Sequence, residues 1–321
     1  MIQYDPHHWR SHLFDIKGSM LREIVSRVAV CVAWSVFVVA WDTAARIPDR
    51  PVRLPNGEIV QATPGFFPEL AREFPPSIPL SGHTLIGAVL GLLLVFRTNS
   101  SYDRFWEGRK LWGAIVNDSR NLGRLATTLL KNDPALLRKM LRWSILFPWS
   151  VCDRLRGMKS IGGDTDDLPQ ADVKLTEQAE HVPLAVARRM TEQVEVARQR
   201  GLISDIQQSL FDDVISRLID SLGACERIHN TPLPFAYMVH LRRALIIFLS
   251  TLPLAIVREF GWATIPATLL ISYVMLGVEE IGVEIEDPFG TDENDLPLQS
   301  ICENIESNLR DLLPASAETQ P

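Results

Sequence analysis

Four apolar runs divide the chain into membrane-like and aqueous stretches. Residues Ile78 to Phe96 (IPLSGHTLIGAVLGLLLVF) contain no Asp, Glu, Lys or Arg. As a helix they would be about 28 Å long, close to the thickness of a bilayer's hydrocarbon core. Shorter runs cover Val28 to Trp41, Ala244 to Val257 and Trp262 to Val278. The pattern predicts four spans in two pairs, although the fourteen-residue first run is also compatible with a buried core helix unless Ile24 to Arg27 extends it.

The connections between these runs differ strongly. The last two runs are separated only by residues 258–261 (REFG), which predicts a tight antiparallel hairpin. Residues 42–77 instead contain a series of prolines, which lack a backbone donor and exclude a long helix or a central strand. These are Pro48, Pro51, Pro55, Pro64, Pro68, Pro75 and Pro76. An irregular loop on the outer side of the membrane is expected.

Between the two pairs, residues 99–231 have apolar positions at helical spacing, which predicts three or four amphipathic helices. Asp133 before Pro134 is typical of a helix N-terminus, and Pro148 is expected to kink or end the helix that contains it. The acid- and glycine-rich residues 162–172 (GGDTDDLPQAD) are expected to form a loop. The region has no cluster with catalytic spacing, so a structural helical bundle is the simplest interpretation.

The predicted organisation is an all-α membrane protein with four transmembrane helices and a large cytosolic helical region. Its boundaries are an N-terminal segment at 1–23, a first pair with its outer loop at 24–97, a helical region at 98–234, a second pair at 235–283, and an acidic turn with C-terminal tail at 284–321. Basic residues place both termini and the helical region in the cytosol. These are Lys17, Arg22, Arg97, Arg104, Arg109 and Lys110, opposed by Arg46, Arg50 and Arg53 in the outer loop.

Composition and charge exclude several classes of function. The 321 residues are 46% hydrophobic and 22% charged, which fits a few spans joined to a large aqueous part. A net charge of −7 without a basic tract argues against a nucleic-acid partner. The four cysteines form no CxxC pair, so no metal role is expected for them, and the seven histidines form no HExxH or comparable motif, so an enzyme is not expected. A secondary transporter stays open as an alternative, although no internal repeat is visible.

Two faces can be distinguished on the Ile78 to Phe96 segment. Gly87 and Gly91 are four residues apart, and small residues at this spacing let a neighbouring helix approach closely. Leu85 and Val89 fall on the opposite side of a helical wheel, where they could line a narrow apolar passage. The alternative is that both residues only pack against a neighbouring span.

A cluster of acids follows the last span. Residues 279–295 contain eight carboxylates, with Pro288 and Gly290 forming a turn between them: Glu279, Glu280, Glu284, Glu286, Asp287, Asp292, Glu293 and Asp295. Such a turn could coordinate a hard cation such as Ca²⁺, or it could be a solvated acidic loop. Its spacing is not that of an EF-hand.

The segments FRTNSSYDRFWEGRKLW (Phe96 to Trp112) and EDPFGTDENDLPL (Glu286 to Leu298), together with the two pairs of spans, resemble the bestrophin family. The resemblance is to its bacterial branch, which is related to plant thylakoid voltage-dependent chloride channels. It implies a homopentamer in which five copies of the second span surround a narrow neck. It also implies passage of small monovalent ions, either chloride and other anions or, in bacterial members, cations such as Na⁺.

The resemblance also assigns site residues. Aligning on Arg97 and Tyr102 places the three neck positions at Ser81, Leu85 and Val89, which we prefer. Aligning on the Ile-Pro pair gives Ile78, Gly82 and Ile86 instead. Either register implies gating by an apolar ring that excludes water.

A Ca²⁺ clasp beside the membrane maps onto Asp292 and Asp295 through their carboxylates and onto Glu284 and Asp287 through their carbonyls. Thr291, Glu293 and Asn294 depart from the family's run of aspartates, so a structural turn is an equal alternative. The expected location is a bacterial inner membrane.

Overall fold

The computed structural model describes residues 20–45, 52–53, 59–60 and 78–312. Most of the predicted N-terminal segment, including Lys17, most of the proline-rich loop, and residues 313–321 of the tail lie outside these residues. The helices are α1 (Leu21–Ala45), α2 (Leu80–Leu129), α3 (Pro134–Leu155), α4 (Gln170–Glu177), α5 (Val182–Gln199), α6 (Asp205–Asn230), α7 (Phe235–Phe260), α8 (Thr264–Glu284) and α9 (Leu298–Arg310).

The proline-rich stretch is not wholly irregular. Strands β1 (Val52–Arg53) and β2 (Ile59–Val60) pair antiparallel, with Val52 opposite Val60. Helix α1 also continues to Ala45, inside the range expected to be loop. Each of these strands has only two residues, which agrees with the expectation that the prolines exclude a long strand.

The chain divides into two compact units, and α2 contributes to both. Among the described residues, one unit contains Tyr102–Pro232 and residues 284–312, and the other contains the residues up to Ser101 together with Leu233–Val283. The first is the helical bundle and the second contains the apolar helices. The charged residues after Phe96 do not interrupt α2, which runs unbroken for 50 residues, about 75 Å.

The bundle has a continuous hydrophobic core formed by α2, α3, α5, α6 and α9. The predicted helical spacing explains it, since Leu136, Leu137, Met140 and Leu141 are all buried. Asp133 caps α3 by accepting a hydrogen bond from the Leu136 amide at 3.0 Å, as expected from the Asp-Pro pair. The prediction for residues 162–172 was partly wrong, because α4 already begins at Gln170.

Pro148 lies inside α3, which continues to Leu155. The prediction that Pro148 could end this helix was therefore wrong. Pro148 is buried in the bundle with its neighbours Phe147 and Val151, and this packing holds the helix across a residue that cannot donate the usual backbone bond. Tertiary contacts thus override a local helix-breaking signal.

The other unit contains the apolar helices α1, α7 and α8 and the first part of α2. Helix α7 ends at Phe260, where Gly261 adopts a positive φ of 54° and begins a 3-10 turn, Gly261–Ala263. Leu252 and Ile256 before this turn pack with Ile271 after it. Residues at similar sequence distances from Gly261 therefore meet, and α7 and α8 form the predicted antiparallel hairpin.

Candidate functional site

Three helical segments are long and apolar enough to cross a membrane: Leu21–Ala44, Leu80–Leu129 and Phe235–Glu284. The third contains the turn at Gly261 and therefore both α7 and α8. These segments define the class of the molecule, a helical membrane protein with an attached helical bundle.

Helix α2 has two distinct faces in its apolar part. His83, Leu90, Leu94 and Arg97 are buried, and they recur at the three- and four-residue spacing of one helix face. Leu85, Val89 and Leu92 are 68%, 51% and 56% exposed. The exposed face is therefore as apolar as the buried one, although no described residue of the same chain covers it.

The preferred neck positions Ser81, Leu85 and Val89 are all exposed. By helix geometry, Ser81 and Leu85 lie about 170° and 150° from the centre of the buried face, and Val89 lies about 110° from it. Of the alternative positions, Gly82 and Ile86 are exposed and Ile78 is partly buried. Ile86 lies about 60° from the buried face by the same geometry, so the two registers differ in how directly they face away from the protein.

The two glycines expected to mediate helix packing have different surroundings. A Cβ atom on Gly87 would lie 3.1 Å from the Phe248 ring of α7, so the absence of a side chain allows this close approach. Among the described residues, no atom lies within 4 Å of the corresponding position on Gly91. Only Gly87 is in close contact with a neighbouring helix of the same chain.

A network of ion pairs links the four apolar helices. Arg97 of α2 is fully buried, and its Nη1 donates to the Glu279 carbonyl at 2.6 Å and to the Glu279 carboxylate at 3.0 Å. Arg242 of α7 donates to the same carboxylate at 2.9 Å. From α1, Arg27 lies 2.5 Å from Glu280 and 3.7 Å from Glu279.

Sequence reasoning missed this network. From the sequence, Arg27 belongs only to a possible extension of the first apolar run, Arg97 to the basic residues of the cytosolic side, and Glu279 to the acidic cluster. The sequence did contain a usable signal: charged residues flank the apolar runs, and both basic and acidic residues occur among them. Charges at such depth are expensive unless they are paired, so the ends of the spans had reason to meet.

His83 forms a second polar contact within this unit. Its Nε2 lies 3.2 Å from the Phe248 carbonyl and 3.1 Å from the Thr251 hydroxyl, and its ring stacks on Phe248 with centroids 4.2 Å apart. The Thr251 hydroxyl already donates to the Ile247 carbonyl at 2.8 Å. Because the Phe248 carbonyl can only accept, His83 Nε2 acts as the donor in this contact.

The acidic turn belongs to the bundle unit and is closed by its own hydrogen bonds. Asp295 accepts from the Asp292 amide at 2.7 Å, and Asn294 donates to the Glu284 carboxylate at 2.6 Å. The Asp287 carboxylate accepts from the Phe289 amide at 3.3 Å. Asp295 is 4% exposed, and burial raises its pKa to about 6.

The carboxylates of the turn are spread among separate hydrogen bonds. In the described part of the chain, no group of three or more His, Cys, Asp or Glu side chains is arranged to hold a metal ion. The Asp295 carboxylate also lies against Gly290, where a Cβ would come within 2.6 Å of it. These carboxylates act as hydrogen-bond acceptors within the turn, and Ca²⁺ binding stays an untested expectation.

Arg104 of α2 anchors the turn from the side, a role that its basic character alone did not indicate. Its Nε donates to the Glu286 carbonyl at 3.1 Å and its Nη2 to the Ile228 carbonyl at 2.7 Å, while Nη1 donates to the Thr231 carbonyl. One guanidinium thus joins the end of α6 to the start of the acidic turn.

Comparison with known proteins identifies the family. Residues 1–311 match the family model described as bacterial/fungal bestrophin protein. A voltage-dependent anion channel-forming protein of Nostoc sp. is 34% identical over 316 residues, which cover 96% of this chain and 93% of the relative. A relative with the same description from Escherichia coli (strain K12) is 31% identical over 312 residues, which cover 96% of this chain and 93% of that relative.

A crystal structure of a bacterial bestrophin homolog from Klebsiella pneumoniae, phased with zinc, superposes with a TM-score of 0.77 at 28% identity. It covers 90% of this chain and 98% of that one. A D179A variant of that homolog gives a TM-score of 0.76 at 27% identity, and the match covers 91% of this chain and 100% of that one. The chain belongs to the bestrophin family, as the two sequence motifs indicated.

Proposed function

We propose that this protein is a pentameric anion channel whose α2 helices surround a narrow apolar neck. The observation that carries the proposal is the exposed apolar face of α2, with Leu85, Val89 and Leu92 uncovered by any described residue of the same chain. A single apolar helix cannot conduct ions, whereas a ring of such helices encloses a passage. An apolar constriction of this kind gates by losing and regaining its water.

The register Ser81, Leu85 and Val89 is favoured over Ile78, Gly82 and Ile86 within this proposal. The first set lies about 110–170° from the face that carries His83 and Arg97, so a ring of five helices directs it toward the axis. Leu92 continues the same exposed side one turn further along α2. The second set is rotated toward the protein interior, which favours a contact between neighbouring subunits.

The proposed selectivity for anions rests on the relatives, which are described as voltage-dependent anion channel-forming proteins. Chloride is the expected physiological anion. Passage of Na⁺ is the alternative, because five copies of a chain with net charge −7 give an acidic assembly that attracts cations.

The expected setting is a bacterial inner membrane with both termini and the helical bundle in the cytosol. Four spans follow if α1, the first part of α2, α7 and α8 each cross once, and an even number returns the chain to its starting side. The basic residues near the span ends support the cytosolic side, with Arg22, Arg97, Arg104 and Arg109 on it.

The decisive experiment is a current measurement with purified protein in planar bilayers under a NaCl gradient. An anion channel gives currents that reverse near the Nernst potential of chloride, and a Na⁺ channel gives the opposite sign. Slow, saturable uptake without such currents would instead indicate a secondary transporter. Native mass spectrometry of the detergent-solubilised particle tests the pentamer separately, since a monomeric particle rules out the ring.

Calcium is tested in the same recordings. The resemblance assigns a clasp to Asp292, Asp295, Glu284 and Asp287, whereas the internal hydrogen bonds of the turn support closure without metal. Equal currents in Ca²⁺ and in a chelator would favour the structural turn. A change in open probability that disappears in Asp292→Asn would favour the clasp.

A further inference from the structure

A groove of about 450 Å³ lies between α2 and α9 in the bundle unit. Helix α2 supplies Arg109, Gly113, Val116, Asn117 and Arg120, and α9 supplies Ser300, Ile301 and Asn304. None of these lining residues is a carboxylate. The groove therefore has guanidinium, amide and hydroxyl donors and no negative charge of its own, although the whole chain has an excess of acids.

Its two arginines occupy opposite ends. Arg109 and Arg120 are eleven residues apart on one helix, or about 16 Å along the axis. The Arg109 Nη1 lies 3.6 Å from the Cβ position of Gly113, so this side chain extends along the groove toward its middle. Gly113 leaves that path open because it has no side chain.

The arginine at the other end is held in place. Arg120 donates from Nε to Asn308 at 2.8 Å and from Nη2 to Asn304 at 3.0 Å, both through the amide oxygens. These two contacts leave Nη1 available to a ligand. Because Asn304 presents its oxygen to Arg120, its amide nitrogen remains a donor for the groove.

Arg109 differs from most arginines of this bundle because it forms no ion pair within the described residues. Arg154, Arg200, Arg217 and Arg227 are each paired with a carboxylate. An unpaired guanidinium directed along a groove without acids is a ready partner for an anion.

The middle of the groove is less polar than its ends. Between Arg120 and the Arg109 guanidinium, which reaches Gly113, the lining residues are Val116 and Ile301, and Asn117 and Ser300 add neutral polar groups. Along the groove, one guanidinium is thus followed by a largely neutral stretch and then by the second guanidinium. A complementary ligand has two acidic ends joined by a short aliphatic middle.

We propose that this groove binds a small aliphatic dicarboxylate, with one carboxylate on Arg109 and the other on Arg120 and the Asn304 amide. A monocarboxylate satisfies only one guanidinium and leaves the other end unoccupied. Binding here does not require the chain to conduct ions, because every lining residue belongs to the helical bundle.

The test is calorimetric titration of the full-length purified protein with succinate and with acetate at constant ionic strength. Succinate should bind saturably and at least about tenfold more tightly than acetate, which is the usual effect of one additional charge-assisted hydrogen-bonding partner. Arg109→Gln should reduce succinate affinity by about tenfold or more. Lys110→Gln is the matched control, since it removes the same charge from the next residue, which does not line the groove.

Three results would overturn the proposal: equal affinity for succinate and acetate, equal loss in Arg109→Gln and Lys110→Gln, or no saturable binding to the assembled particle. The second would reveal only a general electrostatic attraction. The third would indicate that a neighbouring subunit covers the groove. Because Arg109 has no ion-pair partner among the described residues, its substitution should leave the fold intact, and the thermal unfolding midpoint of each variant verifies this.

Discussion

Arg97 and Glu279 form a buried ion pair between α2 and α8, with Arg97 Nη1 3.0 Å from the Glu279 carboxylate and 2.6 Å from its carbonyl. Their side chains are 0% and 3% exposed. The pair fixes the rotation of α2, because Arg97 lies on the same helix face as His83, Leu90 and Leu94. The opposite face, with Leu85 and Val89, is thereby directed away from the protomer.

Replacing Glu279 should destabilise the protein strongly. Glu279→Gln removes the carboxylate that pairs with the buried Arg97, and breaking a buried pair in this way costs about 3–5 kcal/mol. We expect a clearly lower thermal unfolding midpoint in detergent. Glu280→Gln is the control, since its partner Arg27 has a side chain that is 49% exposed and can hydrate. Equal shifts in the two variants would show that Arg97 does not depend on Glu279.

Widening the proposed neck should change conduction. The double variant Leu85→Ala, Val89→Ala removes apolar volume from the exposed face of α2 and lowers the barrier to water and ions. We expect single-channel conductance or open probability to rise severalfold, with the unfolding midpoint nearly unchanged because both side chains are more than half exposed.

Ile86→Ala is the matched control for that variant, because Ile86 is 54% exposed but belongs to the other register. Unchanged currents in the double variant, together with altered currents in Ile86→Ala, would show that the neck is formed by Ile78, Gly82 and Ile86 instead.

The two glycines of α2 should respond differently to alanine. In Gly87→Ala the new methyl group would meet the Phe248 ring at 3.1–3.2 Å, and overpacking of this kind costs about 1–3 kcal/mol. Gly91→Ala meets no described atom within 4 Å and gains helix propensity, so it should be neutral or stabilising by up to about 1 kcal/mol. Comparison of unfolding midpoints tests this. A larger loss in Gly91→Ala would instead place Gly91 against a neighbouring subunit.

The sequence predicted the elements far better than the contacts between them. Continuous apolar runs located the apolar helices, helical spacing indicated those of the bundle, and the short REFG connection predicted the α7–α8 hairpin. The sequence could not indicate that Arg97 contacts Glu279, 182 positions away, because pairing over that separation depends on the rotation of each helix. The network joining Arg104 to three backbone carbonyls was equally invisible, since carbonyls carry no sequence signature.

Local signals also failed where packing opposed them. Pro148 was expected to kink or end α3, and the buried residues around it keep the helix going to Leu155. The change from apolar to charged residues after Phe96 suggested a boundary between the first pair and the helical region, but charges do not break a helix. Neither proline nor a tight turn occurs there, so α2 continues for 50 residues through the change from apolar to polar surroundings.

The buried carboxyl of Asp295 should give the bundle a distinctive pH dependence. Burial raises its pKa from 3.8 to about 6, with the nearby Asp292, Asp287 and Glu284 acting in the same direction. The folded state therefore holds the proton more tightly than the unfolded state. This contribution to the free energy of unfolding is present below pH 3.8, is lost as the pH rises through about 6, and amounts to about 3 kcal/mol.

Asp295→Asn should remove that loss, because the amide stays neutral and its oxygen can still accept from the Asp292 amide. The difference in unfolding free energy between the variant and the natural protein should grow in the variant's favour between pH 4 and 6, the window set by the two pKa values, and then level off. Glu293→Gln removes the same charge from an exposed position of the turn and should show no such step. A variant whose advantage is constant across this range would mean that Asp295 is ionised in the folded protein at acid pH.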